Sequence, residues 1–392
     1  MLKIPSLPAV RLLPAIPATL AIALTFSTWH PRTGNAQTGN AQAGIVQSDP
    51  ETVAAPAMPP VALASDQQVE WILTNHILPG FDGLAETSAE LAKTGSSHCS
   101  PDDPALRKAF GLAFDAWVTV SHLRFGPTET ENRAFALAFW PDSRNKIPGA
   151  LRRAITETNR ASLSNPDTFA SQSIALRGFY ALEYLLFDDA IQSDVSPDQH
   201  STDQHSADRH CALVTAIATD IARTTASIRD DWHRSYATTL RTPGPDNRYQ
   251  SSAEVRQELF KSLTTGFQVL SDMRLGRPLG QFDSPRPKRA EARRSGRSLR
   301  HIVLNLTSME PLALALAAGD AILSQDIEDG FAKTLNRAMV LDDPSLAGVA
   351  DPARRFRIES LQQDVNDLRD LITTELGPTL GVTAGFNSLD GD

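Results

Sequence analysis

Residues Ser173–Asp188, SIALRGFYALEYLLFD, combine a helical apolar pattern with one charged residue that interrupts it. At about 100° per residue, one face of a helix carries the apolar side chains of Leu176, Phe179, Leu182, Leu186 and Phe187. Glu183 falls within that face, and Tyr180 lies three residues before it. Because an unpaired carboxylate removed from water costs several kcal/mol, we expect Glu183 to be buried against partners from another helix.

Two interpretations of this carboxylate are open. Glu183 is either a structural residue bonded to an Arg or Tyr inside a helix bundle, or a ligand in a binding site, because perturbed carboxylates mark functional sites only in some proteins. Gly178 costs about 1 kcal/mol in a helix relative to Ala, so it indicates that another backbone or a ligand comes close there.

The same 3.6-residue period recurs along the chain, and no long stretch alternates as a strand does, so the sequence predicts an all-α protein. Helices are expected from Ser65 through a kink at Pro79-Gly80, and over residues 105–125, 148–162, 168–187, 212–236, 251–274, 289–318 and 352–375.

The second half of the sequence echoes the first. HLRFGP at His122 matches DMRLGRP at Asp272, and ALRGFYAL at Ala175 matches SLRHIVLN at Ser298. We therefore expect two pseudo-repeated helical bundles, residues 65–208 and 209–392, that form one unit.

The N-terminal region resembles an export signal followed by a tether. Lys3 and Arg11 precede an apolar run that ends near Trp29, and Gly34 and Ala36 occupy the −3 and −1 positions of a cleavage site. Residues 1–36 are the predicted signal peptide, with retention as a membrane anchor as the alternative, and no later segment is apolar enough to span a membrane. Residues 37–64, rich in Ala, Pro, Gln and Ser, form a predicted disordered tether.

Charge and cysteine content narrow the possible functions. The formal net charge is −9, which disfavours nucleic acid as a partner. An exported chain meets an oxidising compartment, so Cys99 and Cys211, the two cysteines of the sequence, are expected to form a disulfide.

Two histidines are candidate ligands. His76 lies beside the expected kink and is either a residue at the edge of the core or a site residue oriented by the bend. His122 shares a helical flank with Asp115, which could orient an imidazole for a metal, although a surface pair has the same spacing.

Basic and His-rich segments offer further candidates. One cationic stripe would run along the helix expected at 289–318, formed by Arg289, Arg293, Arg297 and Arg300. It would face either internal carboxylates or an anionic ligand, and Arg124 is a further candidate partner for anions.

The loop at 194–210 carries His200, His205 and His210 at a five-residue interval, which indicates either a low-complexity linker or capture of metal ions.

Several motifs together resemble the imelysin family. Gly178 to Glu183, GFYALE, is similar to that family's Gly-x-His-x-x-Glu motif with Tyr180 at the His position. Further similar stretches are HILPGF at His76, AFDAW at Ala113, HLRFGP at His122, FWPD at Phe139 and LGVTAGFNSLDGD from Leu380. The resemblance implies an all-helical bacterial protein exported to the periplasm or outer membrane and associated with iron-regulated uptake; some relatives were proposed to be metallopeptidases.

The residues and the resemblance together predict a periplasmic accessory or binding protein for metal uptake. Its metal ligands would be Glu183, Tyr180 and one or both of His122 and His76, near a cleft between the two halves. Tyr and carboxylate oxygens with imidazole suit iron better than zinc. The expected partners are a metal or metal complex and envelope uptake proteins. A metallopeptidase is an alternative, disfavoured because HExxH is absent and Tyr180 replaces the motif's His. A structural or protein-binding module of the envelope is a third possibility.

Overall fold

The computed structural model describes residues 57–60, 62–157, 163–193 and 204–382. The predicted signal peptide, nearly all of the tether, His200 and the C-terminal GFNSLDGD stretch lie outside these residues. The described residues belong to one compact unit.

The helices of the first part of the described chain are α1 (Ser65–Ile72), α2 (Leu78–Ser97), α3 (Pro104–Val120), α4 (Arg133–Leu137), α5 (Lys146–Glu157), α6 (Pro166–Ala170), α7 (Gly178–Phe187) and α8 (Asp189–Ser193). The remainder are α9 (Gln204–Asp231), α10 (Ala237–Arg241), α11 (Ser252–Gln268), α12 (Gly276–Leu279), α13 (Ser298–Ala317), α14 (Ala321–Met339), α15 (Pro352–Leu371) and α16 (Gly377–Thr379). No strand occurs in this part of the chain, where Gln281 and Ser284 form an isolated bridge. The all-α prediction is confirmed.

Within the described residues, four π-helical turns interrupt the longer helices, at Leu73–Ile77, Trp232–Tyr236, Val269–Leu275 and Ile372–Leu376. The first places His76 and the third places Arg274, both of which are buried. Such turns often occur at functional sites, because the widened turn changes the direction of side chains.

Two groups of helices share one apolar core. In the first, α2 packs against α3 and α9, and α7 lies against α9; in the second, α14 lies between α13 and α15. Helix α3 also packs against α13, so residues from both groups meet along this contact. Whether the groups are repeats of one ancestral bundle stays a prediction.

A disulfide joins Cys99, in the loop after α2, to Cys211 on α9, with a Cα–Cα distance of 4.9 Å. The predicted pairing is confirmed. Among the described helices none has the length and apolarity that a membrane crossing requires.

Several predicted boundaries were wrong. The helix expected at 289–318 begins only at Ser298, because Pro287–Arg289 is a 3-10 turn and both Ala292 and Gly296 have positive φ. The four arginines therefore do not share a helical stripe.

The helix expected at 168–187 is broken, since Gly178, with φ of +75°, starts α7 after a separate 3-10 turn. The helix expected to reach Phe125 ends at Val120. Helix α9 begins at Gln204, so His210 is a buried helical residue whose Nε2 lies 3.3 Å from the Leu185 carbonyl oxygen, and not part of a loop. Helix α14 was not predicted.

Candidate functional site

Two of the predicted ligands form a buried pair. His76 lies in the first π-helical turn and His122 follows the end of α3. Their Nε2 atoms are 3.0 Å apart, and the residues are 9% and 2% exposed. Burial lowers the pKa of His76 to about 4. Burial, His76 and Arg274 hold the pKa of His122 well below its usual range, so both imidazoles are neutral near pH 7.

The neutral state of His76 predicts loss of stability in acid. Its pKa is about 4 in the folded protein against 6.5 when unperturbed, so the unfolded chain takes up the proton first as the pH falls. The free energy of unfolding should therefore fall between pH 6.5 and pH 4, by roughly 3 kcal/mol from this residue alone. Urea denaturation across this range measures the slope.

His76→Phe provides the comparison for this pH series, because it removes the titrating group and keeps an aromatic ring. The slope between pH 6.5 and 4 should be smaller in the variant than in the parent protein. Parallel stability curves for the two proteins would contradict the assignment.

A second buried cluster is centred on Glu291. Arg274 donates from Nε to Glu291 Oε2 at 2.6 Å, the Tyr180 hydroxyl donates to the same carboxylate, and His301 Nδ1 lies 3.3 Å from it. Burial raises the pKa of the Glu291 carboxyl, but the Arg274 charge and the His301 contact outweigh burial and hold that pKa well below its usual range. Glu291 is therefore an ionised acceptor at neutral pH.

Tyr180 is held as a neutral phenol by this arrangement. Burial, together with the negative charge of Glu291, raises the pKa of Tyr180 well above its usual value. Its hydroxyl proton is engaged by Glu291. Tyr180 thus acts here as a hydrogen-bond donor inside the protein.

The two clusters meet at a cleft with a volume of about 360 Å³. Polar or charged side chains of the lining include His122, Tyr180, Arg274, Glu291, Asn305, Arg124, Glu258 and Lys261. Trp117, Trp140 and Met273 supply apolar surface. The cleft thus combines an apolar wall with fixed polar groups, as small-molecule sites commonly do.

Glu183 is buried, as the sequence predicts, but its partner is a loop serine. Its Oε1 accepts hydrogen bonds from the Ser295 backbone N–H at 3.0 Å and the Ser295 hydroxyl at 2.8 Å. Burial raises the pKa of Glu183, and the Ser295 bonds oppose that shift. Glu183 is not among the residues that line the cleft. It fixes the loop between Arg289 and Ser298 against α7.

The predicted anion-binding arginines have internal partners. Arg297 Nη2 and Arg300 Nε each lie 2.6 Å from Asp115 Oδ2, and this carboxylate is fully buried. Asp115 therefore pairs with the two arginines rather than orienting His122. Arg124 pairs with Glu129. The alternative in which internal carboxylates neutralise the arginines matches these contacts.

Sequence reasoning missed the acceptor at the centre of the site. Glu291 lies among basic residues in KRAEARR, so local pattern gives no sign of burial. Asn305 was also missed, although it interrupts the apolar pattern of α13 as Glu183 does in α7. The sequence pattern that could have identified Asn305 is a polar residue between Leu304 and Leu306, both of which are buried.

The donor set limits how this site could hold a metal. In the described part of the chain, no group of three or more His, Cys, Asp or Glu side chains is placed to hold one. Two imidazole nitrogens about 2.1 Å from one ion would be about 3.0–3.4 Å apart, which agrees with the His76–His122 spacing. The pair can therefore fill part of a coordination sphere, and other ligands must complete it.

The fold and the site define an all-helical protein in which a buried polar cluster faces a cleft between packed helices. The chain belongs to the imelysin family, whose model (Peptidase_M75, Imelysin) matches residues 77–372.

Relatives of known sequence or structure agree with this assignment. The chain is 19% identical over 341 residues to iron-regulated protein A of Synechococcus elongatus, covering 81% of this chain and 87% of the relative. An imelysin-like protein of Psychrobacter arcticum 273-4 has the same fold, with a TM-score of 0.66 at 19% identity and coverage of 85% and 100%. A Parabacteroides distasonis protein described as a putative iron-regulated protein A precursor has a TM-score of 0.63 at 14% identity and coverage of 81% and 97%.

Proposed function

We propose that this protein is exported to the periplasm, where it binds an iron complex as an accessory of iron uptake and does not hydrolyse peptides. The observation that carries the proposal is the buried pair of neutral imidazoles, with Nε2 atoms 3.0 Å apart, beside the cleft. Neutral imidazole is the form that ligates metal ions.

The limited donor set favours a complex over a bare ion. A catalytic zinc site commonly uses three protein ligands and a water, whereas this site offers two imidazoles. An ion held by two nitrogens keeps positions for ligands that arrive with it, and the cleft beside His122 has room for them. If the ligands that arrive with the ion are oxygen atoms, they suit ferric iron.

Three further observations support export and a role related to iron. The N-terminal pattern of Lys3, Arg11 and an apolar run is typical of a secretory signal. The Cys99–Cys211 disulfide suits an oxidising compartment. One similar protein is called iron-regulated protein A. Envelope uptake proteins that pass the complex onward are the expected partners.

Removal of one imidazole tests the proposal. We expect the purified protein to bind ferric citrate in titration calorimetry, and His122→Ala to weaken that binding at least about tenfold, because half of the protein donor set is lost. His76→Ala should behave in the same way. Glu183→Gln is the matched control, since it neutralises a buried carboxylate outside the cleft lining and should leave the affinity unchanged.

Two results would contradict the proposal. Equal affinity of the parent protein and both His variants would show that the pair is structural. Chelator-sensitive cleavage of unstructured peptides by the parent protein would establish the peptidase alternative.

A further inference from the structure

Among the described residues, the polar side chain of Asn305 has no hydrogen-bond partner. It lies on α13, is fully buried and lines the cleft. Neither its Nδ2 nor its Oδ1 has a hydrogen-bond partner in the described structure. Buried amides are normally bonded, so an amide that lacks both bonds beside a cleft needs an explanation from outside the fold.

Close packing at Gly266 brings helix α13 and His122 to the same part of the cleft. Gly266 on α11 lines the same cleft, and a Cβ placed there would lie 2.6 Å from Met309 Sδ and 2.9 Å from His122 Cβ. Met309 is one helical turn beyond Asn305. Because Gly266 has no side chain, α13 and His122 can both pack closely against α11. The amide of Asn305 and the imidazole of His122 therefore line the cleft near each other.

His122 shares the unusual feature of Asn305. Its Nε2 faces His76, but its Nδ1 is buried and has no hydrogen-bond partner in the part of the chain that the structure describes. Two polar side chains with unused hydrogen-bonding atoms thus line the same cleft. We propose that Asn305 recognises the oxygen ligands of a bound metal complex, the complex being of the hydroxycarboxylate class. This inference rests on the proposed function and names the chemistry of its ligand.

The two atoms of the amide determine the ligand class. Nδ2–H needs an acceptor, which a carboxylate oxygen supplies, and Oδ1 needs a donor, which a hydroxyl group or a metal-bound water supplies. A hydroxycarboxylate bound to a metal carries both groups. Glu291 does not repel such an anion strongly, because Arg274 neutralises it at 2.6 Å.

The mouth of the cleft adds a positive charge. Lys261 is exposed and lines the cleft, and within the described residues it forms no ion pair. Arg124 is engaged by Glu129, and the Glu258 carboxylate accepts a hydrogen bond from the Tyr249 hydroxyl at 3.4 Å, which leaves its negative charge in place. Lys261 is therefore the lining cation that remains for an anionic complex.

The test separates recognition from a structural role by measuring both binding and stability. Asn305→Leu replaces two unpaired polar atoms with apolar ones of similar size. If the amide hydrogen-bonds to a ligand, the variant should bind ferric citrate, supplied with excess citrate, at least tenfold more weakly than the parent protein. Its melting temperature without ligand should rise, because the fold no longer buries unsatisfied atoms.

Bare Co²⁺ supplies the second probe, because it reaches the two imidazoles without a carboxylate ligand. Asn305→Leu should bind Co²⁺ within twofold of the parent protein, while His122→Ala weakens both probes. Ser88→Ala is the matched control. Ser88 is fully buried, its hydroxyl has no hydrogen-bond partner among the described residues, and it lies outside the cleft lining. Its replacement should leave ferric citrate binding unchanged.

Each contrary result has a distinct meaning. The role of Asn305 would be overturned by any of three results for Asn305→Leu: unchanged affinity for ferric citrate, an equal loss of affinity for Co²⁺, or a lower melting temperature. The proposed binding of metal by the parent protein would still stand. A parent protein that binds Co²⁺ but not ferric citrate would overturn the ligand class. Binding of neither probe would overturn both the inference and the proposed function. If Asn305→Leu does not fold, Asn305→Ala removes the same polar atoms, and its affinity for ferric citrate provides the test.

Discussion

Replacing Arg274 with Met should lower the free energy of unfolding by about 3–5 kcal/mol, because Glu291 would remain buried without a countercharge. Both side chains are 5% exposed, and the bond between them is 2.6 Å long. Tyr180 cannot replace the lost charge because it is a neutral phenol, and the His301 contact with Glu291, at 3.3 Å, is already present in the parent protein. Urea denaturation monitored by circular dichroism measures the change.

Arg124→Met is the matched control for Arg274→Met. Arg124 also pairs with a carboxylate, that of Glu129, but the two side chains are 43% and 41% exposed. Exposed ion pairs contribute about 0–1 kcal/mol, so this variant should change little. Adding Glu291→Gln to Arg274→Met should restore part of the lost stability, because it removes the unpaired charge. A loss below 1 kcal/mol in Arg274→Met would contradict the description of this pair.

Gly178→Ala should destabilise the protein by more than about 3 kcal/mol, or prevent folding, for two reasons that act together. The backbone φ is +75°, which a residue with a Cβ adopts only under strain. A Cβ there would also overlap the carbonyl oxygens of Ala136 and Leu137. These are backbone atoms near the end of α4, so they cannot move aside as a flexible side chain can.

Gly83→Ala tests the same substitution where neither reason applies. Gly83 lies within α2, and an added Cβ meets no atom within 4 Å. The variant should be more stable by about 0.5–1 kcal/mol, because alanine favours the helix. Thermal melts of both variants provide the comparison. A Gly178→Ala protein as stable as the parent would show that the loop before α7 can rearrange.

Burial was the property that sequence predicted well. The apolar stripe around Glu183 indicated a buried carboxylate, and Gly178 indicated a close approach of backbone or ligand; both features are present. Each depends on the neighbours within one or two helical turns. The same local information also gave the all-α class.

Partners were predicted poorly, because they come from distant parts of the chain. Glu183 accepts from Ser295, 112 positions away, and Tyr180 donates to Glu291, 111 positions away. Neither serine nor a carboxylate among arginines stands out in the sequence. His76 and His122 likewise come into contact only because α2 packs against α3.

The π-helical turns limit how far a helical pattern can predict which side chains are buried. A continuous count of 100° per residue assumes 3.6 residues in every turn, and a wider turn shifts the phase of everything that follows. His76 lies inside such a turn, so its burial does not follow from the pattern of α1. The arginine stripe failed for a simpler reason, since positive φ at Ala292 and Gly296 stops a helix there.

The Cys99–Cys211 bond closes a covalent ring across a sequence separation of 112 residues. His122, Gly178 and Tyr180 lie on this ring, whereas His76, Arg274 and Glu291 lie outside it. A protease that cuts one peptide bond of the ring opens it without releasing a fragment, and the ends stay tied through the two sulfur atoms. The walls of the cleft thus remain on one covalently connected molecule after such a cut.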